Sequence, residues 1–475
     1  MKARMVCALA LAALSLAACG GGGGGGGTVS GTSSSPGASG CSSAPSLGSG
    51  SSGSGAPFVV LNNLTPTGTY FGTFPVPTPI ANEPAPTLGT TSLGGTVTVS
   101  TASINGFKFA LFDSCGKSVY QNAATVSGGP SQGVLPFALT IPTSTLPVGN
   151  YELEIQGTAS SGQVSNIVGQ TFSVYAYPWS SAAAMPVPLT DFGMTVANGK
   201  IYVMTGLSTV NGVGTPTNLV QIYNPATNTW SSGPPAPTLR AGAVAANVGG
   251  QIYLMGGFNA ANPNGLTSVD VLNPQTGTWA TAAADPTAKM FSGVCVVGTS
   301  IYTLGGTQSQ TDVPTLNLLE AFDVNANSWS TLAPDFSYYP LGAHVGCDVI
   351  NGIIYTAGGN YSANGDAESI GAWSYDPATN DWATLSFFVY NRTRHAEVAA
   401  NGLLYILGGL SDAGGVSAPT YVTEMYNPAT NTWVRKAPMP VATQDVSGVQ
   451  INGTIYVVSP ESTYVYRPQS DPLTF

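Results

Sequence analysis

The sequence predicts an all-β protein, most of which is a propeller of four-stranded units. Six of the seven tryptophans recur at intervals of 49 to 53 residues, from Trp179 to Trp433. Between them, an aliphatic residue and a tyrosine are followed shortly by Gly-Gly, as in residues 252–257. The composition is turn-rich, with 60 glycines, 35 prolines and only 7% charged residues. A period near fifty residues with four short strands per period is typical of propeller blades.

Each repeat contains the signals of four strands. A strand of small residues comes first, the Tyr and Gly-Gly strand second, a strand ending in an aromatic residue third and the Trp strand last. Turn residues such as Asn-Pro-Ala-Thr-Asn-Thr at 224–229 and 427–432 separate the last two strands. The Gly-Gly, Tyr and Trp positions resemble the kelch motif, in six copies over residues 175–470. The resemblance implies a six-bladed kelch β-propeller.

The ends of the repeat region predict how the ring closes. The sixth unit has its first three strands near residues 446–450, 454–458 and 463–468, with no Trp strand after them. Residues 176–180, which contain Trp179, have the missing pattern upstream of the first unit. We therefore expect this N-terminal strand to complete the sixth blade, which leaves no exposed sheet edge at the junction.

Residues 58–174 predict a second β domain before the propeller. Apolar and polar residues alternate in segments such as 95–100 and 107–112, with turn residues between the segments. This alternation favours an antiparallel β-sandwich. Residues 146–151, which end in Tyr151, resemble the tyrosine corner of immunoglobulin-like folds. The resemblance implies an immunoglobulin-like β-sandwich.

The N-terminus has the pattern of an export signal. Lys2 and Arg4 precede an apolar run over residues 5–18 that is too short to cross a membrane permanently. The run leads into Leu-Ala-Ala-Cys, which resembles the lipobox of bacterial lipoproteins. The resemblance implies that residues 1–18 are a signal peptide, that Cys19 is lipidated, with palmitate among the acyl chains, and that Gly20 in place of Asp favours the outer membrane. The alternative is an ordinary cleavage site that happens to precede a cysteine.

Residues 19–57 predict a disordered tether. Eight consecutive glycines begin at Gly20, and Ser, Gly, Pro and Thr dominate through Pro57. Such a composition buries too little apolar surface to offset the entropy of ordering. We expect the tether to hold the folded part away from the outer membrane, on its periplasmic or its external side.

The charge balance argues against nucleic-acid binding. Twelve Lys and Arg stand against 22 Asp and Glu, a net charge of −10. Nucleic-acid binding needs basic stripes that neutralise phosphates.

Two histidines in the whole chain leave little room for a multi-histidine metal site. The Gly-x-Gly-x-x-Gly match at residues 48–53 lies in the tether rather than between a strand and a helix, so we expect neither a metal nor a cofactor.

Four cysteines lie beyond the lipidated position. The exported compartment permits disulfides, and the pairing that respects the domains joins Cys41 to Cys115 and Cys295 to Cys347. The second bridge has an alternative. Cys295 stands seven residues before its aligned tyrosine and Cys347 stands eight, so strand alternation would point the two side chains to opposite faces. They would then be two small buried side chains.

Cations recur at one position of the repeat. Arg240, Lys289 and Arg392 occupy equivalent positions, each at the same distance before the tyrosine of its unit, where the first strand opens. Kelch domains that bind acidic partners have arginines at this position, so the resemblance makes these three residues candidate ligand contacts. Neighbouring residues complete the candidate ligand site: Arg394, His395, Tyr338 and Tyr339.

A basic pocket in an acidic protein favours carboxylated or sulfated glycans, or an acidic peptide. The alternative is that the arginines are structural and form ion pairs within the fold. Four carboxylates are candidates for such pairs: Asp366, Glu368, Asp412 and Asp445.

The predicted function is that of a cell-envelope lipoprotein whose propeller is a non-catalytic binding module for a glycan or protein partner, acidic in character. There is no His-Glu-x-x-His motif, and the Tyr-His dipeptide of the copper oxidases related to kelch propellers is missing. His344 and His395 are expected to be structural. The enzyme alternative is a mutarotase similar to the periplasmic six-bladed kelch sialic acid epimerases, acting on a carboxylated sugar with Glu397 or Glu368 as proton carrier.

Overall fold

A computed structural model describes most of the chain from residue 58 onward. The described residues are 58–65, 68–71, 91–125, 131–141, 149–210, 212–311, 314–332, 342–360, 371–388, 390–412 and 417–471. This part is all-β apart from one 3-10 turn at Pro468–Ser470. None of its helical segments has the length and apolar character needed to span a membrane.

The N-terminal strands form two sheets. In chain order they are β1 (Phe58–Thr65), β2 (Gly68–Phe71), β3 (Thr91–Ile104), β4 (Gly106–Asp113), β5 (Ser118–Thr125), β6 (Ser131–Ile141), β7 (Gly149–Thr158) and β8 (Val164–Ala176). One sheet has the order β1-β3-β6 and the other β2-β8-β7-β4-β5, in which β2 runs parallel to β8. Apolar residues that alternate along β3, β4 and β7, such as Val97, Phe109 and Leu153, are buried in one core.

The remaining described strands form six four-stranded sheets and two hairpins. Strand β9 (Trp179–Ala182) comes first in the chain. Sheet I contains β10 (Gly193–Ala197), β11 (Lys200–Met204), β14 (Val220–Asn224) and β15 (Thr229–Ser232), and the hairpin β12 (Leu207–Val210) with β13 (Val213–Pro216) lies between its strands. Sheet II contains β16 (Ala241–Val248), β17 (Gln251–Phe258), β18 (Val269–Asn273) and β19 (Thr278–Thr281). Sheet III contains β20 (Gly293–Val297), β21 (Ser300–Leu304), β22 (Leu319–Asp323) and β23 (Ser328–Leu332).

The second half of the repeat region follows the same plan. Sheet IV contains β24 (Asp348–Ile350), β25 (Ile353–Ala357), β26 (Ala372–Asp376) and β27 (Asp381–Thr384). Sheet V contains β28 (Ala396–Ala400), β29 (Leu403–Leu407), β32 (Thr423–Asn427) and β33 (Thr432–Arg435), with the hairpin β30 (Leu410–Asp412) and β31 (Ser417–Pro419) between them. Sheet VI contains β34 (Ser447–Ile451), β35 (Thr454–Val458), β36 (Thr463–Tyr466) and, as its fourth strand, β9.

The first strands of the sheets surround a common centre. Strands β10, β16, β20, β24, β28 and β34 each contact the next in this order, and β34 contacts β10. Strand β9 runs antiparallel to β36, with Trp179 opposite Tyr466. The strand that precedes sheet I in the chain therefore belongs to sheet VI.

The recurring tryptophans join neighbouring sheets. The Trp230 indole donates a hydrogen bond to the Ala183 carbonyl at 2.8 Å, and that of Trp433 donates to the Ser386 carbonyl at 2.7 Å. Each acceptor stands four residues after the tryptophan of the preceding sheet. The spacing of the tryptophans along the chain is therefore the spacing at which the contacts between neighbouring sheets recur.

The C-terminal segment holds β9 in place. The buried Asp471 carboxylate accepts hydrogen bonds from the Tyr466 hydroxyl at 2.6 Å and the Ala437 amide at 2.8 Å. Its backbone carbonyl accepts from Lys436 Nζ at 2.9 Å. The Tyr466 ring stacks on Trp179 of β9, with ring centroids 4.6 Å apart. These contacts connect the closing strand to the sheet beside it.

We expect Asp471→Ala to lower the free energy of unfolding by about 1–3 kcal/mol, because a buried amide and a buried hydroxyl lose their acceptor. Asp471→Asn keeps an acceptor oxygen and should lower it less. Urea unfolding followed by tryptophan fluorescence measures both. An alanine variant as stable as the parent would show that these hydrogen bonds do not hold β9.

Candidate functional site

One position of the repeat forms a ring around the common centre. It follows the cation position of Arg240, Lys289 and Arg392 by two residues, and its six occupants are Asp191, Gly242, Phe291, His344, Arg394 and Asp445. All six have left-handed backbone, with φ between 52° and 65°, a region that is uncommon for residues other than glycine. Hydrogen bonds between neighbours hold this backbone in place. The Phe291 amide donates to the Gly242 carbonyl at 2.9 Å, and the His344 amide to the Phe291 carbonyl at 2.8 Å.

These six residues, which we call the mouth, open a cavity of about 200 Å³ between the first strands. On one side, Arg394 Nη1 lies 2.8 Å from Asp445 Oδ1 and 3.8 Å from Asp191 Oδ1. On the other side, the rings of Phe291 and His344 stack with centroids 4.2 Å apart. The Arg394 side chain is 25% exposed, more than those of its two carboxylate partners. The mouth thus has two stacked aromatic rings on one side and three charged side chains on the other.

The three cations predicted to contact a ligand lie inside their sheets. Arg240 and Arg392 have no exposed surface, and Lys289 is 3% exposed. Arg392 forms an ion pair with Glu424 and donates to the Val422 carbonyl at 2.8 Å. This burial corrects the sequence-based placement at the rim, because a carboxylate of the same sheet already neutralises each cation.

The other two buried pairs have the same construction. Arg240 pairs with Asp270, and Lys289 pairs with Glu320 and lies 2.6 Å from Asp285. Burial lowers the pKa of Arg240 and raises the pKa of Asp270, and it raises the pKa of Asp285 to about 6. For these three groups, desolvation changes the pKa more than the attraction of the opposite charge does.

The sequence also allows a structural role, in which the arginines form ion pairs with four candidate carboxylates. The structure shows one of these pairs. Asp445 pairs with Arg394, as described above. Asp366 and Glu368 lie outside the described residues, as do Tyr338 and Tyr339 of the predicted ligand site. Of the five predicted ligand contacts that lie within the described residues, only Arg394 is at the mouth with a partly exposed side chain.

His395 and Glu397 are buried beside the cavity, where strand β28 packs against sheet IV. Glu397 Oε2 accepts a hydrogen bond from the Ala357 amide at 3.0 Å and lies 3.7 Å from His395 Nε2. A Cβ at Gly346 would collide with the Glu397 carboxylate, so glycine is needed there. Burial lowers the pKa of His395 to about 3 and raises the pKa of Glu397 well above its usual range. Burial therefore favours the uncharged form of both side chains.

We expect Glu397 to make the free energy of unfolding fall as the pH rises from the ordinary pKa of a glutamate to its raised pKa in the folded protein. Over that interval the folded state binds more protons than the unfolded chain, because burial raises the pKa of Glu397. His395 has the opposite effect, but only between its lowered pKa of about 3 and its ordinary value near 6.5. Asp348, whose burial raises its pKa to about 6, acts in the same direction as Glu397 below that value.

Urea unfolding between pH 6.5 and 9 tests this prediction. Glu397→Gln, which carries no titrating group, should remove most of the slope. A slope that is unchanged in the variant would assign the pH dependence to other groups.

A disulfide joins the first strands of sheets III and IV. Cys295 and Cys347 are bonded, with Cα atoms 5.6 Å apart. Cys295 lies in β20, whereas Cys347 directly precedes β24. Strand alternation therefore does not determine which way the Cys347 side chain points. Cys115 is also disulfide-bonded, and Cys41 and Cys19 lie outside the described residues.

Sequence reasoning does not single out Asp191 or Phe291 of the mouth, and it names Asp445 only as a candidate partner in a structural ion pair. The signal that would find them is a constant distance from the aligned tyrosine, since this distance selects the mouth in all six sheets. The structure adds no metal centre to the site. In the part of the chain that it describes, no group of three or more His, Cys, Asp or Glu is arranged to hold an ion.

Comparison with known proteins identifies the repeats. The Kelch motif model matches residues 188–237, 239–284, 290–335 and 391–440, which coincide with sheets I, II, III and V. The chain is 26% identical to Kelch-like protein terF of Aspergillus terreus, over 62% of this chain and 54% of that protein. It is 26% identical to human Kelch-like protein 23, over 59% of this chain and 38% of that protein. The chain thus spans about half of the first relative and less of the second.

Among solved structures, one titled "Structure of YjhT" is similar to this chain. It is 18% identical, with a TM-score of 0.46, and the match covers 61% of this chain and 95% of that chain. The motif matches agree with the repeats found in the sequence. The chain carries kelch repeats in an all-β fold of the propeller type.

Proposed function

We propose that the chain is a lipoprotein of the bacterial outer membrane whose kelch propeller is a non-catalytic binding module for a protein or glycan partner. In this proposal sheets I to VI are six blades, β9 closes the ring, and β1 to β8 form an immunoglobulin-like spacer above the tether. The pairing of β9 with β36 and the contact of β34 with β10 support the six-bladed ring. The lipobox at Cys19 supports the anchor.

The observation that carries the binding role is the cavity at the mouth. Its volume of about 200 Å³ is below the ~300–1,000 Å³ typical of pockets that enclose a whole small molecule. It therefore suits one side chain or one sugar unit of a larger partner. The stacked Phe291 and His344 rings offer an apolar face, and Arg394 and Asp445 offer directional hydrogen bonds.

The acidic character expected of the partner loses its main support. It rested on four cations near one rim, and three of these are neutralised within their own sheets. The fourth, Arg394, lies beside two carboxylates, those of Asp191 and Asp445. A partner that forms hydrogen bonds fits this arrangement better than a strongly anionic one.

Binding to arrays of glycans and peptides tests the proposal. The full-length protein in detergent would be applied to neutral, carboxylated and sulfated glycans and to peptides of defined charge. Arg394→Ala and Asp445→Asn should each weaken capture about tenfold. Lys200→Ala, which removes an exposed cation elsewhere in sheet I, should not. Equal capture by the mouth variants and the control would overturn a binding role for the mouth.

The anchor has its own test. Cells expressing the protein would be labelled with a palmitate analogue, and Cys19→Ser should abolish incorporation. Cys41→Ser, a matched change in the same N-terminal segment, should retain it. Label retained in the Cys19 variant would refute the lipid anchor.

One observation favours the enzyme alternative. Glu397, a predicted proton carrier, lines the cavity, and burial raises its pKa well above its usual range, which favours the protonated form. A sialic-acid-epimerase-like activity would accelerate anomer exchange of a carboxylated sugar, which NMR measures directly. Acceleration that Glu397→Gln removes would support this alternative, whereas exchange at the uncatalysed rate would exclude it.

A further inference from the structure

A groove lies beside the mouth, where sheets VI and I meet. It encloses about 730 Å³, several times the volume of the mouth cavity. We call it the seam groove, and it is lined by residues 188–190, 207–209, 419, 441–445, 459–462 and 464. Asp445 lines both the seam groove and the mouth cavity. The two cavities therefore adjoin at Asp445.

The walls of the seam groove contain both polar and apolar side chains. Val441 is 44% exposed and is one of the large hydrophobic side chains that are open to solvent. Leu207 is half-buried opposite the exposed Pro188 and Pro419. Burying such side chains against a partner contributes about 25 cal/mol per Å² of apolar surface. The volume of the groove is large enough for several residues of an extended chain, whereas the mouth cavity has room for one side chain.

Two acidic side chains line the seam groove, and one of them, Asp445, is paired with Arg394 at the mouth. Among the described residues that line the groove, Asp445 and Glu461 are those that belong to the Asp, Glu, Lys, Arg and His classes. Both are acidic. Glu461 is exposed, and it forms no ion pair with any residue that the structure describes. The whole chain carries a net charge of −10, which adds to the local negative potential.

We propose that the seam groove binds an extended segment of a partner protein in which Lys or Arg side chains alternate with apolar residues. The inference rests on the proposed binding role of the mouth and adds the chemistry of the partner. The basic side chains lie near Glu461, the apolar ones pack against Val441 and Leu207, and one side chain enters the mouth beside Phe291. Complementary charge steers the encounter, and the apolar walls supply the affinity.

Three peptides of nine residues test the inference by fluorescence anisotropy. Their Val, Pro and Ser positions are identical, and the remaining positions are all Lys, all Gln or all Glu. At about 0.15 M ionic strength, where the Debye length is about 8 Å, the full-length protein in detergent should bind the Lys peptide at least tenfold more tightly than the Glu peptide. Glu461→Gln and Val441→Ser should each weaken binding of the Lys peptide about fivefold.

Asp381→Asn is the matched control. It removes one exposed carboxylate from β27 of sheet IV, away from the groove lining, and should change the affinity less than twofold. Equal weakening by Asp381→Asn and Glu461→Gln would show attraction by net charge alone and would overturn the inference. Circular dichroism of each variant confirms that the fold is retained.

The outcomes separate the inference from the proposed function. Capture of a glycan or of the Glu peptide that depends on Arg394, without binding of the Lys peptide, would retain the proposed function and refute a basic partner. If no probe depends on either the mouth or the seam groove, both are refuted. Lys-peptide binding that Glu461→Gln weakens and Asp381→Asn does not would support both.

Discussion

Replacing Arg392 with alanine is expected to lower the free energy of unfolding by about 3–5 kcal/mol, the usual effect of breaking a buried ion pair. Arg392 has no exposed surface, and the Glu424 side chain with which it pairs is equally buried. Alanine would leave the Glu424 carboxylate without its cation and the Val422 carbonyl without a donor that lies 2.8 Å away. An uncompensated buried charge destabilises more than the intact pair stabilises.

Two further variants show which of these effects dominates. Arg392→Met combined with Glu424→Leu removes both charges while keeping most of the volume, and should restore most of the lost stability. Lys200→Ala removes an exposed cation and should change the free energy of unfolding by less than about 0.5 kcal/mol. An Arg392→Ala variant that keeps its stability but loses capture of array probes would return this residue to the ligand site.

The fold could be predicted because contacts between sheets repeat with the sequence. Among the described residues, five of the six recurring tryptophans donate to a carbonyl that stands four residues after the tryptophan of the preceding sheet, as Trp329 does to Ala283 at 3.0 Å. A contact that repeats in this way requires the same residue at the same interval. This is why tryptophan spacing alone indicates four-stranded units of about fifty residues.

The buried ion pairs leave a signal that needs two positions compared together. In the three sheets with a cation where the first strand opens, an acid stands nine residues before the tryptophan. Sheets I and IV have no cation at the first position, and they have Gln221 and Trp373 at the second. The paired acids are Asp270, Glu320 and Glu424. The cation position considered alone indicates a ligand site, whereas the two positions together indicate a pair inside the sheet.

The direction of Arg394 could not be predicted from spacing. Arg392 and Arg394 are two residues apart, so strand alternation would place both on the same side. Arg394 instead has left-handed backbone, with φ of 55°, and its side chain lies at the mouth while that of Arg392 is buried in sheet V. Such a backbone is uncommon for arginine and depends on contacts with neighbouring sheets, which a count along one chain segment does not contain.

Replacing Cys295 and Cys347 together with alanine is expected to lower the free energy of unfolding by about 4 kcal/mol. The bond joins residues 52 apart, and closing a loop of that length restricts the unfolded chain by about this amount. Reductant should bring the parent protein close to the stability of the double variant and should leave the propeller transition of the variant unchanged. A parent protein that keeps its stability under reducing conditions would show that this bond does not constrain the unfolded chain.

The slope of the urea transition distinguishes the disulfide from the ion pair. Without the bond between Cys295 and Cys347 the unfolded chain expands and exposes more surface, so the dependence of the free energy on urea should become steeper. Arg392→Ala destabilises the folded state and should shift the midpoint with little change of slope. Equal slopes in the two variants would mean that the disulfide acts by holding sheets III and IV together in the folded protein, and hydrogen exchange at β20 and β24 would then be faster without it.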